Sequence, residues 1–291
     1  LPAGLAESAR LDPPLFSPSQ FRAFERIQEQ LAGQKPVSGK FDAELGWCNR
    51  PDSGFDEFRY DWAGARIGAE PLARAKAAGV RRVVAVGCSM THGEEVAARE
   101  SWCAQVDAAL PEVEVANLGV AAYGIDQALL RLRRDGFTLE PDEVWLGILP
   151  QAALRTTTFF RPILDHWSLD VAFKPRFLLG VDGELVLAPS PAQGFADVER
   201  LLTDQEALLA ALAGRDPWVA RAPGAYAPRG TDWRHHSFAL RLWLTLDEKR
   251  GRRLASAFDD GHEFGRLFSA IVATMQRKCD ERGVRFRVLV L

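Results

Sequence analysis

The sequence predicts an α/β protein whose central sheet is parallel. Three segments rich in valine and other apolar residues, 81–86, 113–117 and 143–149, recur about 30 residues apart in the pattern of strands. Helical patterns lie between them, at 99–110 and 125–135. Strands that alternate with helices at this spacing form right-handed βαβ units and a parallel sheet. We therefore predict a three-layer sandwich in which helices pack on the sheet.

Residues 1–80 precede this pattern and are predicted to form a lead-in that packs on the core. Ser17 and Pro18 are a helix start signal, and apolar residues at near-helical spacing extend this helix to about Gly33. The segment 46–68 is rich in aromatic residues and glycine and has no helical period. It favours short strands or loops.

The region 152–247 interrupts the alternation of strands and helices. The turn signal Val-Asp-Gly-Glu at 181–184 predicts a hairpin between 177–180 and 185–188. A leucine-rich helix is predicted over 195–212, and an irregular stretch rich in Pro, Gly, Trp and His follows it. We interpret the region as a partly irregular lid inserted into the α/β domain.

The last two predicted elements belong to the same domain, which spans 81–291. Apolar residues from Phe264 to Cys279 follow i, i+3, i+4, i+7 spacing, and the helix that they predict ends in basic residues before Gly283. The segment 284–291 ends in Val-Leu-Val-Leu and predicts a buried strand. Because this strand ends without a polar loop, we expect a further part of the domain to follow it.

Composition disfavours several classes of partner. The chain is 47% apolar and 26% charged, and its net charge of −3 includes no basic stripe for nucleic acid. No apolar run approaches the ~18 residues that span a bilayer. The four cysteines lie far apart and predict free, mostly buried thiols rather than a disulfide framework or a metal site. No cofactor is predicted, and oligomeric state and localisation stay open, although unpaired thiols weakly favour a reducing compartment.

A serine follows the first predicted strand where open α/β sheets bind ligands. The segment Gly87-Cys88-Ser89 leaves that strand at its carboxyl end, and the glycine allows a sharp turn toward a cleft. Backbone N–H groups in such a turn can stabilise an oxyanion, so Ser89 is a candidate nucleophile. A serine in such a loop is, by itself, more often a helix cap. Thr91 also stands where a nucleophile elbow has its second glycine.

The surrounding residues resemble the SGNH (GDSL-like) hydrolases. The segment 87–93, in which Thr and Gly follow the serine, resembles their first sequence block, and 117–124 looks like their second. The resemblance extends over 45–161 and includes the lead-in, which is similar to the segment before the serine in many bacterial members. It implies a flavodoxin-like SGNH fold with Ser89 as the nucleophile. It also implies that the backbone N–H of Gly119 binds the oxyanion.

Two positions depart from the family pattern. Cys88 stands where Asp is commonest, and it is an alternative nucleophile, although the serine in register explains the block better. After the third strand the family has Asn-Asp, whose Asn amide completes the oxyanion hole, and the aligned pair here is Gln151-Ala152. Gln151 keeps an amide donor with one extra methylene, which displaces it by about 1 Å. It is either that donor or an ordinary polar loop residue, and both interpretations stay open.

The acid–base pair of the family, an Asp-x-x-His after the last strand, has no match at that position. A literal match further upstream, 259–262, precedes the last predicted helix. There Asp260, with Glu263 three residues later, better fits a capping box. We therefore expect the catalytic histidine in a segment after Leu291. His92, although it is near Ser89, is assigned a core or surface role.

The resemblance implies a serine ester hydrolase that acts on acyl esters, including acetylated carbohydrates and lipids. An acyltransferase on the same fold and a non-catalytic carbohydrate- or ligand-binding protein are the alternatives. A phosphate binder that uses Ser89, Thr91 and Gly93 is disfavoured because this loop lacks the glycine pattern of phosphate cradles. The expected partner is a small-molecule or carbohydrate ester.

Overall fold

The structure, a computed structural model, describes residues 41–55, 57–161, 173–212, 215–216 and 263–291. The helix predicted to end near Gly33, the 259–262 match and most of the irregular end of the insertion lie outside these residues.

The chain divides into two compact units. The candidate residues Ser89, Gly119 and Gln151 all belong to the second unit. The first unit comprises 1–46, 157–176 and 189–262, and the second comprises Trp47–Thr156, Phe177–Ala188 and Glu263–Leu291.

The described residues form ten strands and six α-helices. The strands are β1 (Phe41–Asp42), β2 (Gly46–Trp47), β3 (Gly54–Phe55), β4 (Phe58–Arg59), β5 (Arg81–Gly87), β6 (Val113–Asn117), β7 (Glu143–Ile148), β8 (Arg176–Leu179), β9 (Leu185–Ala188) and β10 (Arg285–Val290). The helices are α1 (Ser89–His92), α2 (Trp102–Ala109), α3 (Ile125–Arg134), α4 (Phe195–Thr203), α5 (Gln205–Leu212) and α6 (Glu263–Asp280). Short 3₁₀ segments cover Ala98–Glu100, Gly136–Leu139 and Pro150–Thr157.

The main sheet has four parallel strands in the order β10-β7-β5-β6, which confirms the predicted α/β class. The central strand β5 carries Val83, Val84, Ala85 and Val86, all of which are fully buried. A strand with helices on both faces has no polar face, so the valine run of 81–86 reflects this position. The remaining sheets each pair two short strands, β1 with β2, β3 with β4 and β8 with β9.

Helices lie on both faces of this sheet. A Cβ added to Gly136, just after α3, would be 3.2 Å from Val84, which places the end of α3 on one face. Ala85 points to the other face, and its partner in the register is Trp145. The ring of Trp145 stacks on Trp102, the first residue of α2, with the ring centroids 6.1 Å apart. The arrangement is compatible with the predicted three-layer sandwich.

The prediction of a buried last strand is wrong. The strand itself forms, and β10 pairs in parallel with β7 over its whole length. It stands at the edge of the sheet, however, and Val288 and Val290 are 42% and 74% exposed. An apolar run marks a strand, but burial also requires neighbouring elements, and in the described part of the chain β10 has a strand on one side alone.

The insertion contains the predicted hairpin and a helix that is interrupted. β8 and β9 pair, and the turn is closed by a 2.9 Å hydrogen bond from the Gly180 N–H to the Glu184 carbonyl. The helix predicted over 195–212 is two helices, because Asp204 leaves the helical conformation (φ −114°, ψ 102°). Its carboxylate accepts from the Ala207 N–H at 3.0 Å and so caps the start of α5.

Among the described residues, no helix combines the length and the apolar character needed to cross a bilayer.

Candidate active site

Ser89 lies at the carboxyl end of β5, one of the two central strands. β5 ends at Gly87, and Ser89 is the first residue of the short helix α1. Its side chain is half-buried and makes no hydrogen bond with any described residue. As the first residue of the helix it also has a backbone N–H with no acceptor inside that helix. Ser89 therefore presents a hydroxyl that bonds to no described residue and an N–H that has no acceptor within its own helix.

Thr91 fixes α1 to the sheet. Its hydroxyl occupies a notch between two strands, since a Cβ added to Gly87 of β5 or to Gly147 of β7 would be 2.2 Å or 2.1 Å from Thr91 Oγ1. A side chain at either position would collide with Thr91, so both positions require glycine. The Thr91 hydroxyl is fully buried and has no hydrogen-bond partner in the described part of the chain. It is not available to a ligand, which argues against the phosphate-binding alternative.

Gly119 contacts the same helix from the end of β6. A Cβ added to Gly119 would be 2.4 Å from the His92 nitrogen and 2.8 Å from the Thr91 carbonyl carbon. A side chain at this position would therefore collide with the backbone two and three residues after Ser89. The glycine permits close packing of the two strand exits.

The backbone N–H of Gly119, which the family resemblance implies as an oxyanion donor, is already engaged. It donates to Asn117 Oδ1 at 3.0 Å. The N–H groups on either side, of Leu118 and Val120, donate to the Ala85 and Gly87 carbonyls of β5 at 2.8 and 3.1 Å. Because consecutive N–H groups of a strand alternate in direction, that of Gly119 points away from β5. To bind an oxyanion it would have to leave or share Asn117.

Gln151 lies in the 3₁₀ segment that begins at Pro150, directly after β7. Its side chain is outside the described part of the structure, so its interpretation as an amide donor stays a prediction. The three candidates Ser89, Gly119 and Gln151 follow β5, β6 and β7, three neighbouring strands of one sheet. In a parallel sheet these exits share one edge.

Two buried side chains that the sequence did not single out hold the Ser89 helix in place. The Asn117 amide donates to the carbonyls of Thr91 at 2.9 Å and His92 at 3.3 Å. The Arg66 guanidinium donates to the carbonyls of His92 at 2.8 Å and Val96 at 2.9 Å, and it also donates to Gly93.

Arg66 is a buried cation at the carboxyl end of α1. It is 4% exposed, and no carboxylate of the described residues forms an ion pair with it. The carbonyl dipoles at a helix end and the face of Phe58, 5.1 Å from the guanidinium, compensate the charge instead. Burial lowers the pKa of Arg66, against the opposing effects of Tyr60 and Glu57.

His92 belongs to the core, which is one of the two locations, core or surface, predicted for it. It is 2% exposed, its Nε2 lies 3.0 Å from the Tyr60 hydroxyl, and its ring stacks on Phe58. Burial raises the pKa of Tyr60 to about 12. The other four histidines, His166, His235, His236 and His262, lie outside the described residues, so the structure does not test the expectation that the catalytic histidine follows Leu291.

The four cysteines are free and buried, which confirms that prediction. Cys88, the alternative nucleophile, is 3% exposed and precedes α1, where its side chain does not cap the helix.

No group of three or more metal-ligating side chains occurs among the described residues. A cavity of about 140 Å³ is lined in part by Arg66, Cys103 and Asn117. Ser89 does not line this cavity.

Comparison with known proteins does not assign a family. No protein-family model matches the chain, and a search of curated proteins finds no match. The resemblance to the SGNH hydrolases therefore depends on the residues quoted above.

Proposed function

We propose that the protein is an ester hydrolase of SGNH type with Ser89 as its nucleophile. The observation that carries this proposal is the setting of the serine. Ser89 is half-buried and starts a helix at the carboxyl end of a central strand, and its hydroxyl makes no hydrogen bond with described residues. A serine that served as a helix cap would instead accept a hydrogen bond from a nearby N–H.

The contacts that hold the Ser89 helix against the sheet also support the proposal. Thr91 locks the helix onto β5 and β7, while Asn117 and Arg66 bind its carbonyl oxygens. A nucleophile must be held to within a fraction of an ångström of its attack geometry, and buried hydrogen bonds to rigid elements achieve this. A serine in a solvent-exposed loop with no catalytic role does not require its helix to be held by buried hydrogen bonds.

The reaction follows from the chemistry of a serine nucleophile. Ser89 Oγ attacks the acyl carbonyl carbon of an ester, and a histidine base accepts the hydroxyl proton. The carbonyl oxygen becomes an oxyanion. The Ser89 N–H, which has no acceptor within its own helix, is the proposed first donor, and the Gln151 amide is the proposed second donor. The histidine returns its proton to the leaving alcohol, and water then cleaves the acyl-enzyme by the same steps. The position of that histidine stays a prediction.

The proposed substrates are acyl esters of small molecules or carbohydrates, which include O-acetylated sugars and lipids. An acyltransferase would share the first half of the reaction and differ in its acceptor, an alcohol in place of water. Measurement of released acid against transferred acyl group separates the two.

Hydrolysis of p-nitrophenyl acetate by Ser89→Ala and Cys88→Ala tests the proposal. Removal of a catalytic nucleophile should lower kcat by on the order of 10⁴-fold or more. Cys88→Ala should retain most of the activity, because the Cys88 thiol is buried. If Ser89→Ala kept the activity and Cys88→Ala lost it, the cysteine would be the nucleophile. If the wild-type protein failed to hydrolyse any acyl ester, a ligand-binding role would replace the proposed one.

A further inference from the structure

Asn49, a residue of the lead-in, is bound to the loop that supports Ser89. It is 1% exposed, and its side-chain amide donates to the Gly119 carbonyl at 3.2 Å across 70 residues of sequence. Its Oδ1 is buried and has no hydrogen-bond partner in the described part of the chain. Its own backbone is confined by Gly64, at which a Cβ would be 2.8 Å from the Asn49 carbonyl oxygen.

The Asn49 amide completes a clamp on Gly119. The N–H of Gly119 donates to Asn117 Oδ1, and the carbonyl of Gly119 accepts from Asn49 Nδ2. Both polar groups of one peptide position are therefore held by buried amides. Gly119 in turn lies against the backbone of Thr91 and His92, the residues that follow the nucleophile in α1.

We propose that Asn49 is a positioning residue that acts through Gly119 to hold the Ser89 helix in its reactive position. The inference rests on the proposed function of Ser89. A hydrogen bond from Asn49 keeps the Gly119 carbonyl turned away from the helix, so that the glycine can pack against it. Loss of this donor lets the Gly119 peptide rotate, and the helix that carries Ser89 then moves with it. A displacement of about 1 Å at a reacting group can cost about 10²-fold in rate.

The variant Asn49→Asp tests this inference, because its effect reverses with pH. A protonated aspartic acid has nearly the shape of asparagine and can donate its O–H to the Gly119 carbonyl, whereas an ionised one repels that carbonyl. Burial raises the pKa of such a carboxyl, whereas the buried Arg131 guanidinium, which contacts the neighbouring Cys48, lowers it, so kcat is measured from pH 8 down to pH 5. We expect kcat for p-nitrophenyl acetate to be about 10–100-fold below wild type near pH 8, with KM little changed. The ratio of variant to wild type should rise toward one as the pH falls to about 5.

Two further variants separate positioning from a general loss of stability. Asn49→Ala removes the donor without adding a charge, so its kcat ratio to wild type should be low and independent of pH. Gln105→Glu is the matched control, because Gln105 is exposed and its amide also donates to a backbone carbonyl, that of Glu100, at 2.7 Å. Its kcat ratio should stay near one. All rates are measured at a temperature at which circular dichroism shows each variant folded.

The outcomes distinguish the inference from the function on which it rests. If the wild type is active and the Asn49→Asp ratio is near one at every pH, or low but flat like that of Asn49→Ala, Asn49 does not position the serine. If Asn49→Asp does not fold near pH 8, a kcat of Asn49→Ala equal to wild type overturns the inference equally well. If the wild type itself shows no activity that depends on Ser89, the proposed function fails and the inference falls with it.

Discussion

Replacement of Gly119 by alanine should separate the two roles of this residue, as a backbone donor and as a point of close packing. Alanine retains the backbone N–H, so a role as donor alone predicts little effect. The structure predicts a collision, because the new Cβ would lie 2.4 Å from the His92 nitrogen and 2.8 Å from the Thr91 carbonyl carbon. Neither of these atoms is the end of a flexible side chain, so the backbone itself must move.

The magnitude follows from the distances. Non-bonded heavy atoms approach to about 3.5 Å at best, so the helix that carries Ser89 and the Gly119 loop must separate by about 1 Å. Overpacking of this kind costs about 1–3 kcal/mol of folding free energy. A displacement of about 1 Å at the nucleophile should lower kcat/KM about 100-fold.

Urea unfolding and p-nitrophenyl acetate hydrolysis measure the two effects on the same preparations. Gly194→Ala is the matched control, because a Cβ added there would meet no atom within 4 Å. It replaces a helix N-cap residue, so it should cost at most about 1 kcal/mol and leave kcat/KM unchanged. If Gly119→Ala had wild-type activity and stability, Gly119 would not be packed against the Ser89 helix and the positioning argument would be refuted.

Three further predictions concern the surroundings of the site and the sheet. Because burial raises the pKa of Tyr60 to about 12, from 10.0 in an unfolded chain, the folded state is stabilised below pH 10 and loses that stabilisation as the pH rises to 12. The free energy of unfolding in urea should fall across this pH range in the wild type and not in Tyr60→Phe. An equal fall in both proteins would contradict the prediction. Burial opposes ionisation of Glu143, but hydrogen bonds from Trp145 and from arginines outweigh burial and lower the pKa of Glu143. The ionised carboxylate therefore stabilises the folded state at neutral pH, and this stabilisation is lost in acid. Glu143→Gln should therefore cost about 1–3 kcal/mol at pH 7 and less as the pH falls through that lowered pKa, whereas a cost that does not change with pH would contradict the ion-pair account. The four thiols should resist Ellman's reagent at pH 8 until the chain unfolds, because all four are buried. Burial also raises the pKa of Cys103 and raises that of Cys279 to about 11. Rapid reaction of the native protein would contradict this.

The strands of the sheet could be predicted from sequence because local pattern determines them. The valine-rich run at 81–86 corresponds to β5 at Arg81–Gly87, and 113–117 corresponds to β6 without change. Burial of the last strand could not be predicted in this way. The run Val-Leu-Val at the end of β10 is as apolar as the others, but exposure depends on which elements surround the strand, and that is a property of the whole fold.

At the candidate site, too, local sequence predicts the position of the serine but not the long-range contacts that hold it. The position of Ser89 after β5 follows from a strand, a glycine and a turn, all of which are adjacent in sequence. The contacts that hold it do not, since Arg66 and Asn117 reach the Ser89 helix across 26 residues and Asn49 reaches Gly119 across 70. No local pattern shows that a polar side chain will bind a distant carbonyl. The hydrogen bond from the Gly119 N–H to Asn117 Oδ1 could not be predicted from the sequence either.

Covalent labelling of the nucleophile tests the central claim most directly. The hydroxyl oxygen of an activated serine attacks the phosphorus of a fluorophosphonate and displaces fluoride, while the base takes the hydroxyl proton. The stable phosphonate ester that results can be assigned to a single residue by mass spectrometry of proteolytic peptides. We predict one phosphonate adduct on the wild-type protein, located at Ser89, and none on Ser89→Ala. If the unlabelled protein hydrolyses p-nitrophenyl acetate but the adduct forms at another residue, or does not form at Ser89, the assignment of Ser89 as the nucleophile is contradicted.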